Sequence, residues 1–84
     1  DMPRVSISKR TTDRFLVYNK QKTRVDRMAE TVYGDSSYYR LIMWANPEYE
    51  LEFDIQDDVV LRIPYPLLDV LQEVQGQIEK NKNV

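Results

Sequence analysis

Chain breakers cut this sequence into short pieces. Gly34 stands between two apolar-patterned stretches, Asn46-Pro47 closes the second, and Pro64 and Pro66 follow a β-branched run. Proline biases its preceding residue away from helix, and glycine enters the left-handed turn that ends one, so elements in the middle of the chain are limited to about three helical turns. A chain of 84 residues is one small domain, and domains near this size bury only about 60–65% of their unfolded surface. Its short elements therefore have to share a core.

Hydrophobic periodicity assigns the pieces. Arg14 to Asn19 alternates, with Phe15 and Val17 on one face and Leu16 and Tyr18 on the other, which predicts a strand. Thr23 is placed as an N-cap with Asp26 three positions on, and Val25, Met28, Ala29 and Val32 follow at helical spacing. Past Gly34, Asp35 or Ser36 caps a second helix whose apolar face is Tyr38, Leu41, Ile42 and Ala45. The stretch EYELEFDIQDD reads as a loop that tucks an apolar residue or two inward, and Val59 to Ile63 reads as a strand pairing with the first. Leu67, Leu71, Val74 and Ile78 mark a final helix with Pro66 at its start. The fold class expected is α+β, β-α-α-β, with an N-terminal arm (1–13), a central domain (14–64) and an appended helix and tail (65–84).

Composition removes whole classes of function. The chain has no cysteine and no histidine, which excludes disulfides, thiolate zinc sites, imidazole bases and Ser-His-Asp or Cys-His machinery. No apolar run approaches the roughly 20 residues that span a bilayer. A net charge of -2 argues against nucleic acid as the main partner. Charge is nonetheless segregated. Arg4, Lys9, Arg10, Arg14, Lys20, Lys22, Arg24 and Arg27 make the first third basic, whereas Glu48, Glu50, Glu52, Asp54, Asp57 and Asp58 form an acidic stretch, which predicts a dipolar molecule. That acidic stretch lacks the ligand order and central glycine of an EF-hand loop, so it is expected to be solvated rather than to hold calcium. No catalytic, metal or cofactor residue is expected, and the chain is read as a non-enzyme.

The order of elements, with RVDRMAETVYGDSSYYRLIMWANP followed by DDVVLRIP, resembles the lysin-motif (LysM) fold as it occurs in phage tail and baseplate proteins, the tail protein X type above all. The resemblance covers residues 14–64 and rests on Tyr33-Gly34, Ala45-Asn46-Pro47 and Leu61-Arg62-Ile63-Pro64 in that order. It implies two helices on one side of a two-stranded antiparallel sheet. It also implies a structural adaptor in the virion tail or baseplate, assembled in the host cytoplasm, with tube, spike, hub or wedge subunits as partners and several copies in a ring. Glycan-binding LysM modules carry a glycine-aspartate-threonine turn after the first strand. Here that turn is NKQKT, and its bulky, basic residues weigh against the alternative role of a peptidoglycan-binding (N-acetylglucosamine-binding) module.

For an adaptor the functional residues are surface anchors. Large apolar side chains off the predicted core faces are the candidates, since aromatic residues dominate binding hot spots. The candidate partner interface is Val5, Ile7, Tyr39, Trp44, Tyr49, Tyr65, Leu68 and Leu71. Val5 and Ile7 alternate in an arm of 12 residues. Ordering its backbone costs about 12–24 kcal/mol, and burying two aliphatic side chains returns only about 1.5–3 kcal/mol each. The arm is therefore expected to order only against a neighbouring subunit.

Overall fold

The helical spacing of Val25, Met28 and Ala29 buries all three on one side of α1 (Val25–Tyr33). The computed structural model describes residues 5–82. Two strands, β1 (Arg14–Val17) and β2 (Val60–Ile63), pair antiparallel with Arg14 opposite Ile63 and Val17 opposite Val60. Between them come α1, a 3-10 turn (Ser36–Tyr38) running into α2 (Tyr39–Ala45), and a second 3-10 turn (Glu52–Asp54). After β2 the chain forms α3 (Leu67–Lys82). The protein is thus a small α+β domain with a two-stranded antiparallel sheet and three α-helices, in the order β-α-α-β-α.

Gly34 ends α1 at φ 83°, where its N–H reaches the Glu30 carbonyl at 2.9 Å. Asp35 then starts the next turn by accepting from the Ser37 N–H. The N-cap of α1 departs from the expectation. Arg24 occupies that position without a side-chain cap, and the Thr23 hydroxyl instead donates to the Val17 carbonyl at 2.8 Å. The Val25 N–H is satisfied from far along the chain by the Glu52 carboxylate at 3.0 Å. A carboxylate is the stronger acceptor and complements the positive end of the helix, so it displaces the local hydroxyl.

The core has two lobes. Tyr18, Met28, Ile42, Leu61 and Ile63 fill the space between sheet and helices, together with Ile55 from the loop. Val5, Ile7, Leu41, Val70 and Val74 form the second lobe. The predicted single face of α2 is therefore split, Ile42 turning to the sheet and Leu41 to α3. Tyr33 and Tyr38 meet edge-to-face at 6.1 Å and border both lobes.

The second lobe overturns the expectation of a partner-dependent arm. Val5 and Ile7 are only 5% and 6% exposed, so the chain itself buries two of the residues assigned to a partner interface. The missing backbone partners come from α3. Gln77 accepts from the Ser6 N–H at 2.9 Å and donates to the Ser6 carbonyl, and Glu73 accepts from the Ser8 N–H and hydroxyl. The Gln77 amide and the Glu73 carboxylate of α3 supply the hydrogen bonds that a neighbouring strand was needed for. Residues 1–4 of the expected arm lie outside the described residues.

Two outcomes follow from these contacts. Ile7→Ala is expected to destabilise the isolated domain by about 2–5 kcal/mol, the range for aliphatic truncation in a packed core; a urea melt without such a loss returns the arm to the partner-dependent reading. The two glycines should respond to alanine with opposite signs. A Cβ meets nothing within 4 Å at either, so Gly34→Ala costs about 1–2 kcal/mol from left-handed backbone alone, whereas Gly76→Ala, inside α3, gains up to about 1 kcal/mol in helix propensity. Paired thermal melts of the two variants check this.

Candidate functional site

Alternation places Leu16 and Tyr18 inward, together with Leu61 and Ile63 of β2, and leaves the opposite face of the sheet open. On that face Phe15 is 63% exposed, Val17 52% and Val60 57%. Val17 and Val60 are direct cross-strand neighbours and Phe15 is diagonal to Val60, so the three form one apolar surface. It continues into an open groove of about 520 Å³ where Phe15 and Val60 meet Trp44, Pro47, Lys9 and Arg62.

Beside this surface stands an ion pair. Arg62 is opposite Phe15 on the same face as Val60, and its guanidinium meets Asp13 at 2.9 Å, with the Asp13 side chain 1% exposed. The same guanidinium donates to the carbonyls of Ile7, Ser8 and Ala45. Asp13 also accepts from the N–H groups of Arg10 and Tyr65. Burial alone raises the Asp13 pKa, but the Arg10 N–H, the Arg62 guanidinium and the Tyr65 N–H together outweigh it and hold the carboxyl below its ordinary value.

A second hollow, about 250 Å³, lies beside the 19–23 turn and is lined by Tyr18, Lys20, Arg24, Leu51, Glu52 and Phe53. The Glu52 carboxylate on its wall accepts from the Tyr18 hydroxyl at 3.0 Å and the Val25 N–H at 3.0 Å, with Arg24 at 3.7 Å. Burial and the adjacent Glu52 push the Tyr18 phenol up to about 12, so it stays a neutral donor. The rim is open: Phe53 is 72% exposed and Leu51 53%. Half of the acidic stretch is engaged within the chain: Glu52, Asp54 and Asp57. Asp54 accepts from the Leu51 N–H and Asp57 from the Lys20 N–H, and no group of three metal-ligating side chains occurs among the described residues. These contacts fold the acidic loop against the basic turn, so the expected charge separation is partly closed within the chain.

The predicted interface residues scatter. Tyr39 is 40% exposed and Leu68 73%, whereas Trp44 and Leu71 are half-buried against the second core lobe and Tyr49 against the first. Tyr65 is half-buried beneath the Arg14 guanidinium, 4.6 Å from its ring centre. Leu68 and Leu71 share the outer flank of α3, and of the candidates Trp44 and the buried Ile7 border the sheet groove. Sequence reasoning passed over Phe15, Val17, Val60, Leu51 and Phe53. The period-two pattern of RFLV does place Phe15 with Val17, but which of its two apolar faces is outward depends on where the helices pack.

No protein-family model, no curated protein and no solved structure matches this chain.

The ion pair generates a pH prediction. A carboxyl depressed in the folded state contributes stability above its unfolded value, 3.8 for Asp13, and that contribution is lost as pH falls through the folded value. Glu73, where Ser8 and Arg10 outweigh burial, follows the same sign from 4.5. Stability should therefore fall as pH drops below these values. Asp13→Asn should cost about 3–5 kcal/mol at neutral pH, as expected when one member of a buried pair is removed, and should flatten that acid limb. Urea midpoints measured across the acid range read both effects.

Proposed function

We propose that this chain is a structural assembly protein of a phage tail, baseplate or related contractile machine, in which a LysM-like core acts as a rigid adaptor between neighbouring subunits. The observation that carries the reading is the open apolar surface of Phe15, Val17 and Val60 on a domain whose own core is closed beneath it. An isolated domain gains nothing by exposing a valine pair and a phenylalanine side by side, whereas an adaptor uses such a surface when a neighbour covers it. The LysM-like arrangement is supported by the β-α-α-β order, the antiparallel pairing of β1 with β2, and the breaks at Gly34, Asn46-Pro47 and Pro64.

The non-enzymatic reading draws on the absence of histidine and cysteine and on carboxylates spent on backbone N–H groups at Asp13, Glu52, Asp54 and Asp57. Its partners are tube, spike, hub or wedge subunits, with several copies in a ring, and its location is the virion tail or baseplate after assembly in the host cytoplasm. Nucleic acid and membrane insertion are not part of the role.

One observation favours the alternative of a peptidoglycan-binding LysM module. Exposed Phe53 and Leu51 rim the hollow beside the 19–23 turn and offer an aromatic surface to a sugar ring. Glu52 and Lys20 occupy the approach, which favours the assembly role. Incubation with purified cell-wall sacculi separates the two. No retention is expected at physiological salt; retention that N-acetylglucosamine oligomers compete away replaces the assembly reading with the glycan one. In the native particle, Val60→Lys should shift stability by less than about 0.5 kcal/mol, as for an ordinary surface change, yet abolish incorporation. Normal incorporation of that variant counts against the sheet face as the adaptor surface.

A further inference from the structure

The two strands leave two outer edges, and the fold treats them differently. The Tyr18 N–H donates to the Val59 carbonyl at 2.8 Å, so Tyr18 faces β2. Because backbone groups of an antiparallel ladder alternate, Leu16 and Arg14 also face β2, while Phe15 and Val17 face away. On β2 the same alternation turns Arg62 outward, and that edge is closed. The Asn46 carboxamide takes the Arg62 N–H at 3.1 Å and its carbonyl at 2.9 Å, standing in for a third strand. Beside it Val60 remains open among the described residues.

On β1 the Thr23 hydroxyl takes the Val17 carbonyl. The Phe15 N–H, the Phe15 carbonyl and the Val17 N–H have no hydrogen-bond partner among the described residues. They lie at an edge whose side chains are also exposed and apolar, Phe15 at 63% and Val17 at 52%. Natural proteins usually blunt such an edge with inward charge, proline or a covering loop; here the 19–23 turn covers the edge at the Val17 carbonyl, and both Phe15 groups and the Val17 N–H are presented with their side chains.

We propose that the outer edge of β1, at Phe15 and Val17, accepts an extended segment of another protein as a third strand of the sheet, and that this segment carries acidic residues at its ends. Main-chain pairing supplies the affinity, and alternate apolar side chains of the incoming segment extend the Phe15–Val17–Val60 surface. The charge requirement comes from the ends of the edge. Arg14 begins the strand, and the Thr23–Val17 bond draws the turn bearing Lys20 and Lys22 alongside its far end, where Asp57 is held on the Lys20 N–H. A second copy of β1 is the poorer occupant, because antiparallel pairing brings Arg14 of each copy toward Lys20 of the other. The inference goes beyond the assembly reading and does not require it, since a strand acceptor serves in any setting.

The test uses the intact protein, labelled with 15N, and a synthetic peptide alternating valine and threonine with aspartates at both ends. The Phe15 and Val17 amides should exchange freely without peptide, then shift in the spectrum and slow by about tenfold or more when it is added at millimolar concentration. A lysine-ended peptide should bind at least several-fold more weakly, and a peptide N-methylated on alternate residues should not bind. Four results overturn the proposal. They are no shift at these two amides with any peptide, equal binding of the N-methylated peptide, equal binding of the lysine-ended peptide, and a concentration-dependent dimer in sedimentation that protects the same amides without peptide.

Discussion

The Asp13–Arg62 pair is the contact on which the rest of the arrangement depends. A buried ion pair taken alone contributes little, because desolvation offsets attraction. Here the attraction is supplemented by backbone partners on every side. Asp13 collects the N–H groups of Arg10 and Tyr65, and Arg62 donates to carbonyls of the arm and the end of α2. One pair of charges thereby joins the arm, the start of β1, β2, the close of α2 and the lead into α3. Arg62 also belongs to the β2 edge that Asn46 closes, so sheet and helix pair are held in one register.

A second principle runs through the molecule. So small a sheet leaves many backbone groups without strand partners, and long side chains fill the gaps. Gln77 pairs with both backbone groups of Ser6, Asn46 with both of Arg62, Glu73 with Ser8, and Glu52 with the otherwise uncapped start of α1. Buried or half-buried polar groups have to be paired, and side-chain pairing lets a chain of this length do so with only two strands. The same economy gives the open β1 edge its meaning. Where the fold needs an edge closed it supplies a carboxamide, and at Phe15 and the Val17 N–H it supplies none among the described residues.

Local pattern carried the elements. The alternation of Arg14 to Val17, the helical repeat of Val25, Met28 and Ala29, and the breaks at Gly34, Pro47 and Pro64 are statements about near neighbours, and the strands and helices follow them closely. Gly34 was legible for the same reason, since the left-handed end of a helix selects the residue without a Cβ. What the pattern could not express was any choice between two equally apolar faces, or any partner far along the chain. Phe15 and Leu16 look alike in sequence; packing of the helices against Leu16 made Phe15 the exposed one. Val5 and Ile7 read as an arm in want of a neighbour because Gln77 and Glu73 lie some seventy positions away. The elements and their order were legible from residue pattern, because those depend on interactions a few residues apart. The tertiary structure alone decided which apolar surface is buried, which strand edge is closed and where Glu52 sits, because each depends on side chains that only folding brings together.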